Sequence, residues 1–242
     1  MNVSSLPSPK LMLRDHLAFA GLATVGLLIT LIAIAIGYDA IGNNPVNTSF
    51  WNEAISGIAP WYALGIAIYL MVVTFPQYVL YGDTRKRFAH RIALFSVPFV
   101  TSLSVMILVA LWIERLVYRV AGWNHAIADD HLYNTPRDVP AFLLEFFLIL
   151  LAWFAFGALI GASYIARQEL LIVTGPLAIV GVAIVNVLLG LDDGPSILVN
   201  RLVDQQDRNV AVGTVSALAL SVAALYGSRL ITRDAAIKGQ AE

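Results

Sequence analysis

The sequence predicts an all-α, polytopic membrane protein with six transmembrane helices and both termini cytoplasmic. Three observations carry that expectation. Hydrophobic residues make up 59% of the 242-residue chain and charged residues only 13%, whereas a soluble domain carries roughly 25% charged residues. The apolar residues gather in six runs, each close to or above the about 20 residues that a spanning helix needs. Lysine and arginine are sorted unevenly among the segments joining those runs.

The runs cover approximately residues 17–38, 61–81, 92–113, 140–163, 170–189 and 210–230. They are too continuous for barrel strands, which alternate apolar and polar residues, so helices are expected. The first run follows Lys10 and Arg14. It is too long for the apolar core of a signal peptide and lacks a clear small-x-small exit, so it reads as a retained helix. Runs four and five are separated by the short YIARQE turn and should form a helical hairpin. One six-helix domain over 17–232 is expected, preceded by a segment 1–16 and followed by a tail 233–242. In the first segment Leu11, Met12, Leu13 and Leu17 make an apolar face edged by Lys10, Arg14, Asp15 and His16. It reads either as an amphipathic helix on the inner membrane surface or as a frayed entry to the first span. The outer loop after the first run is polar, with turn residues Asn43, Asn44 and Pro45. Asn47 in that loop matches a glycosylation acceptor, a pattern short enough to arise by chance. Residues 190–209 place the apolar stretch SILVNRLV between acidic ends. They read as a re-entrant or interfacial segment, or as an exposed loop helix without a role in transport.

Orientation follows from the basic residues. With the N-terminus cytoplasmic, Lys10, Arg14, Arg85, Lys86, Arg87, Arg91, Arg167, Arg229, Arg233 and Lys238 lie inside. Arg115, Arg119, Arg137, Arg201 and Arg208 lie outside, a split of 10 against 5. The acids lean the other way, as the positive-inside rule permits. A bacterial plasma membrane is the expected location.

Most familiar chemistry is missing. There is no cysteine, hence no disulfide, thiolate metal site or cysteine nucleophile. No GxxxxGK[ST] phosphate loop, HExxH spacing or GxSxG elbow occurs. The chain by itself is therefore not expected to be an enzyme, to hold a cofactor or metal, or to bind nucleic acid. His16, His90, His125 and His131 are scattered. His125 and His131 share the outer loop with Asp129 and Asp130, which reads as a set of solvated loop residues rather than as a loose metal site. Glu145 is an intramembrane acid, which is costly and marks either a substrate path or a structural pair with Arg115 or Arg119. Glu114, next to Arg115 and Trp112, reads as the interfacial end of the third span. Gly157 and Gly161 form a GxxxG pair that lets helices approach closely, and the sixth span is also rich in small residues. Pro76 and Pro98 bracket the densest basic cluster, and with Pro176 each can interrupt a helix.

That cluster lies in FPQYVLYGDTRKRFAHRIALFSVPF. The stretch resembles a pattern of ABC-2-type permeases, the membrane subunits of ATP-binding-cassette exporters, through Phe75, Pro76, Gly82, Thr84, Arg85 and Lys86. The later FLLEFFLILLAWFAFGALIGASYIARQ resembles the family's fourth span. Two departures are Asp83, where the family often has an apolar residue, and Arg87-Phe88-Ala89-His90, which lacks the usual second Phe and Gly. The resemblance implies six helices with both termini inside, a second permease chain, and separate cytoplasmic ATPase subunits carrying ATP and Mg²⁺. It also implies that Gly82, Asp83, Thr84, Arg85, Lys86, Arg87 and Phe88 belong to a short coupling helix, within turn 82–91, that docks on the ATPase. The cargo expected from the weakly polar spans is a hydrophobic or amphipathic peptide, lipid or drug-like compound. The rival readings are a non-transport membrane binding protein, such as an immunity or assembly factor, and an intramembrane enzyme, for which Glu145 alone is too little.

Overall fold

The computed structural model describes residues 9–42, 47–127, 131–133, 135, 137–189 and 210–233. The chain folds into α1 (Pro9–Ala40), α2 (Phe50–Tyr69), α3 (Phe75–Leu80), α4 (Arg85–Ala121), α5 (Val139–Ala166), α6 (Leu171–Leu189) and α7 (Val210–Arg233). A π-helical turn at Leu70–Thr74 fuses α2 to α3, and a 3₁₀ turn at Gln168–Leu170 leads into α6. Six helical segments, with α2 and α3 counted as one, are long and apolar enough to cross a membrane among the described residues. No strand occurs there, only an isolated bridge between Thr48 and Ala126. The chain is an all-helical, multi-pass membrane protein.

α5 is the hub, and its sequence explains why. From Phe146 to Ala162 it has no charged or hydroxyl-bearing side chain. A helix apolar on every side belongs in the interior. It packs against α7, α2, α6 and α4, while α1 lies outside on α4 and α2. Phe19, Leu22, Val25 and Ile29 of α1 and Ile172 and Val173 of α6 are exposed, forming apolar outer surfaces suited to lipid.

Lipid gives no hydrophobic drive for helices to associate, so close packing must supply it. The GxxxG pair does this against α2. A β-carbon at Gly157 would lie 2.5 Å from the Leu64 carbonyl oxygen, and one at Gly161 would lie 2.7 Å from the Met71 β-carbon. In α7, Gly213 likewise lies against the Leu188 carbonyl of α6.

Several elements differ from the sequence expectation. α2 starts at Phe50, eleven residues before the apolar run, because Ser49 caps it and accepts a hydrogen bond from the Asn52 backbone. Its first turns carry Asn52, Glu53 and Ser56, which mask the span in a hydropathy profile. α4 runs on to Ala121, where Gly122, at φ +76, ends it in the left-handed conformation. Residues 9–16 continue the first span as one helix. Pro76 sits just after the π turn, and Pro98 and Pro176 lie within α4 and α6. Asn43, Asn44, Pro45, Asp129, Asp130, segment 190–209, residues 1–8 and residues 234–242 lie outside the described residues.

Candidate functional site

Two ends of the bundle and a groove between them hold the polar chemistry. At the end formed by the starts of α2 and α5 and the finish of α4, Glu114 is 1% exposed and Glu145 is fully buried. Glu114 does not end its helix, which runs on to Ala121. It falls on the buried stripe Ile107, Leu111, Glu114 and Tyr118 of α4, at helical spacing. Its carboxylate accepts from the Trp51 backbone at 2.8 Å, at the N-terminus of α2, where a negative charge is favoured. It also accepts from the Ser49 hydroxyl and meets His125 Nε2 at 3.0 Å.

Glu145 pairs with neither Arg115 nor Arg119. Its Oε1 lies 2.7 Å from His131 Nδ1, and its Oε2 accepts from the Leu132 backbone at 2.6 Å. The second nitrogen of His131, Nε2, lies 2.8 Å from the Asn52 amide nitrogen, and Tyr133 donates to Asn52 Oδ1 at 2.5 Å. With Asn52 held in this orientation, Nε2 accepts from the amide and Nδ1 carries the proton given to Glu145. His125 and His131 are thus not solvated loop residues: their side chains are 8% and 5% exposed. A buried carboxylate without such donors is too costly to keep, so chain segments far apart in sequence are drawn together to supply them. Through Ser49 and Asn52 the two carboxylate–imidazole pairs form one continuous network.

Below this network runs a groove. α2 and α6 both pack on α5 but hardly on each other. The gap holds a cavity of about 640 Å³, within the range of small-molecule sites. Glu53, Ser56, His131 and Glu145 line one end of it, and Trp61, Phe146, Ile149 and Trp153 continue its wall. Ile179, Val182 and Asn186 of α6 face them. From Glu145 to Ile160 the lining advances fifteen residues along α5, or about 22 Å at 1.5 Å per residue, most of a hydrocarbon core. Among the described residues, the buried indole N–H of Trp153 has no hydrogen-bond partner.

The basic turn occupies the opposite end of α4. Gly82 has φ +89 with open space around it, so glycine is needed for backbone conformation and not for room. The Thr84 hydroxyl caps α4 by accepting from the Arg87 backbone. Asp83 forms a 2.7 Å ion pair with Arg91, whose guanidinium lies over the Tyr78 ring. Phe88 is buried against Phe75 and Tyr78. Arg85 donates to the Arg233 carbonyl at 2.7 Å. Of the basic cluster, Lys86 and Arg87 are left exposed. No separate short helix stands here: α4 is continuous from Arg85 into the span.

Among the described residues, no three His, Asp or Glu side chains converge as a metal site. No family model, curated protein or solved structure shows significant similarity to this chain.

Proposed function

We propose that this chain is the permease subunit of an ATP-binding-cassette exporter of the ABC-2 type, in a bacterial plasma membrane with both termini cytoplasmic. The observation that carries the proposal is the braced basic turn. The Thr84 cap, the Asp83–Arg91 ion pair and the buried Phe88 hold it rigid. Lys86 and Arg87 face outward. Such a turn can transmit force, and its free cations suit an acidic groove on a partner. In this reading a separate ATPase, holding ATP and Mg²⁺, docks there. The 37 residues of α4 form a rod of about 55 Å that ends beyond Glu114. Displacement of the turn therefore reaches the buried carboxylate network and the starts of α2 and α5, which flank the groove. The groove takes an amphipathic cargo with its polar group toward Glu53 and His131. A second permease chain, identical or related, completes the transporter.

The test is Lys86→Glu with Arg87→Glu. The variant should lose copurification of the ATPase and ATP-driven uptake of cargo into inverted vesicles. Its orientation is checked alongside, because removing inside charge can invert helices. Retained ATPase binding together with normal uptake would overturn the reading. Correct insertion without any ATPase partner in the parent protein would favour the non-transport membrane binding protein.

A further inference from the structure

We propose that the finish of α7 and the start of α4 form a binding site for the phosphate headgroup of an anionic lipid. Arg85, Lys86, Arg229 and Arg233 line one cavity of about 330 Å³ together with Tyr226 and Leu230. The cations come from helices some 140 residues apart in sequence, since Arg85 and Arg233 are separated by 148 positions. Positive-inside sorting requires basic residues on this side of the membrane but does not require them to share a pocket.

The local geometry explains how they come together. Tyr226, Arg229, Leu230 and Arg233 follow one another at i, i+3, i+4 and i+7, so they occupy one face of α7. Arg85 donates to the Arg233 carbonyl at 2.7 Å, in the last turn of α7, where backbone carbonyls lack helical partners. That bond fixes the two helix ends together and brings the remaining cations to one side. Among the described residues, no carboxylate lies within ion-pair distance of Arg85, Lys86 or Arg229. Asp83, the nearest acid in sequence, is engaged by Arg91. Clustered like charges repel one another, and an anion between Arg85, Lys86 and Arg229 relieves that repulsion.

The apolar side of the pocket distinguishes a lipid from a free anion. Tyr226 and Leu230 are 54% and 47% exposed on a membrane-spanning helix. An aromatic ring and an aliphatic side chain beside cations at a helix end match the layered chemistry of the interface, with headgroup level above and acyl chain below. Basic pockets between helices on the cytoplasmic side suit anionic headgroups for this reason. The ligand class is a phosphodiester lipid with a net negative charge, such as phosphatidylglycerol.

The experiment is a titration of the delipidated full-length protein in neutral detergent, read by native mass spectrometry. The probes are phosphatidylglycerol, phosphatidylcholine of the same chains, and inorganic phosphate. Phosphatidylglycerol should be retained in preference to phosphatidylcholine and should not be displaced by millimolar phosphate. Arg85→Gln with Arg229→Gln should weaken its retention roughly ten- to thirtyfold, from about a kcal/mol lost per basic residue. Arg85→Lys with Arg229→Lys, which keeps charge and orientation, should lose far less. Arg14→Gln with Arg167→Gln removes two charges elsewhere on the same side and should leave retention unchanged. If the double Gln variant does not fold, Arg229→Gln alone should weaken retention roughly fivefold by the same arithmetic. Equal retention of the two lipids, equal loss in the Arg14/Arg167 variant, or ready displacement by phosphate would overturn the proposal. Lys86 and Arg87 are untouched in these variants, so failure here is separable from failure of ATPase docking.

Discussion

His131 Nδ1 lies 2.7 Å from Glu145 Oε1, so a residue of a connecting loop completes the environment of a carboxylate in the central helix. His131 and Tyr133, between α4 and α5, thereby belong to the bundle interior. Asn52 of α2 joins the same arrangement from the opposite side of His131. Three elements that a hydropathy profile treats as separate are tied at one point.

That tie has a measurable strength. Glu145→Ala leaves the His131 and Leu132 donors without an acceptor, and each unsatisfied buried group costs about 1–3 kcal/mol. Thermal unfolding in detergent should fall clearly. Asn52→Ala should also lower it. The double variant should lose less than the sum of the two, because both changes cut one network. Strictly additive losses would show that the network is not coupled.

The glycines of α5 separate packing from propensity. Gly161→Val drives side-chain atoms into the junction of α2 and the π turn, where even the β-carbon would lie 2.7 Å from that of Met71, and such overpacking costs about 1–3 kcal/mol. Gly57→Ala and Gly65→Ala meet nothing within 4 Å and should be neutral or stabilising, by up to about 1 kcal/mol of helix propensity. Unfolding midpoints of the three variants check this ordering.

The basic turn should loosen locally when its backbone is disturbed. Gly82→Ala forces a β-carbon into a left-handed conformation, at about 1–2 kcal/mol. Thr84→Ala removes the cap, at about 1 kcal/mol. Hydrogen exchange across residues 81–91 should speed up in both, with α5 unaffected. Uniform acceleration across the whole chain would show that the turn has no independent local opening.

The groove should respond to its volume. Ile179 is exposed and lines it, while the neighbouring Val180 is exposed but does not. Ile179→Trp should reduce retention of an amphipathic fluorescent probe several-fold, and Val180→Trp should leave it unchanged. Equal effects would place the probe elsewhere on the lipid-facing surface.

The sequence made the spans legible because each long helix carries a continuous apolar run, whereas the central place of α5 emerges only from its packing. The GxxxG spacing announced a close approach, though its partner, α2, emerges only in three dimensions. The polar network was less legible. Asn52 and His131 are 79 positions apart, so no local pattern joins them. His125 and His131 lie among acids and turn residues, which imitates a solvated loop. Two local signals did exist: Ser49 three residues before Asn52 marks a helix start, and Glu114 keeps the spacing of the buried residues of α4. The basic turn was legible as a cluster, but its division into braced and free cations was not. Asp83 pairs with Arg91, eight positions on, and that bond depends on the turn being formed.

The π turn at Leu70–Thr74 has a consequence for how the basic turn is aimed. An α-helix advances about 100° per residue, so the wider turn resets the phase of everything after it. As built, Phe75 and Tyr78 both meet Phe88 across the turn. Were the same residues wound as plain α-helix, Phe75–Leu80 would sit about 100° away around the axis and both rings would leave that contact. The direction in which Lys86 and Arg87 point is therefore set by the winding of a segment more than ten residues upstream.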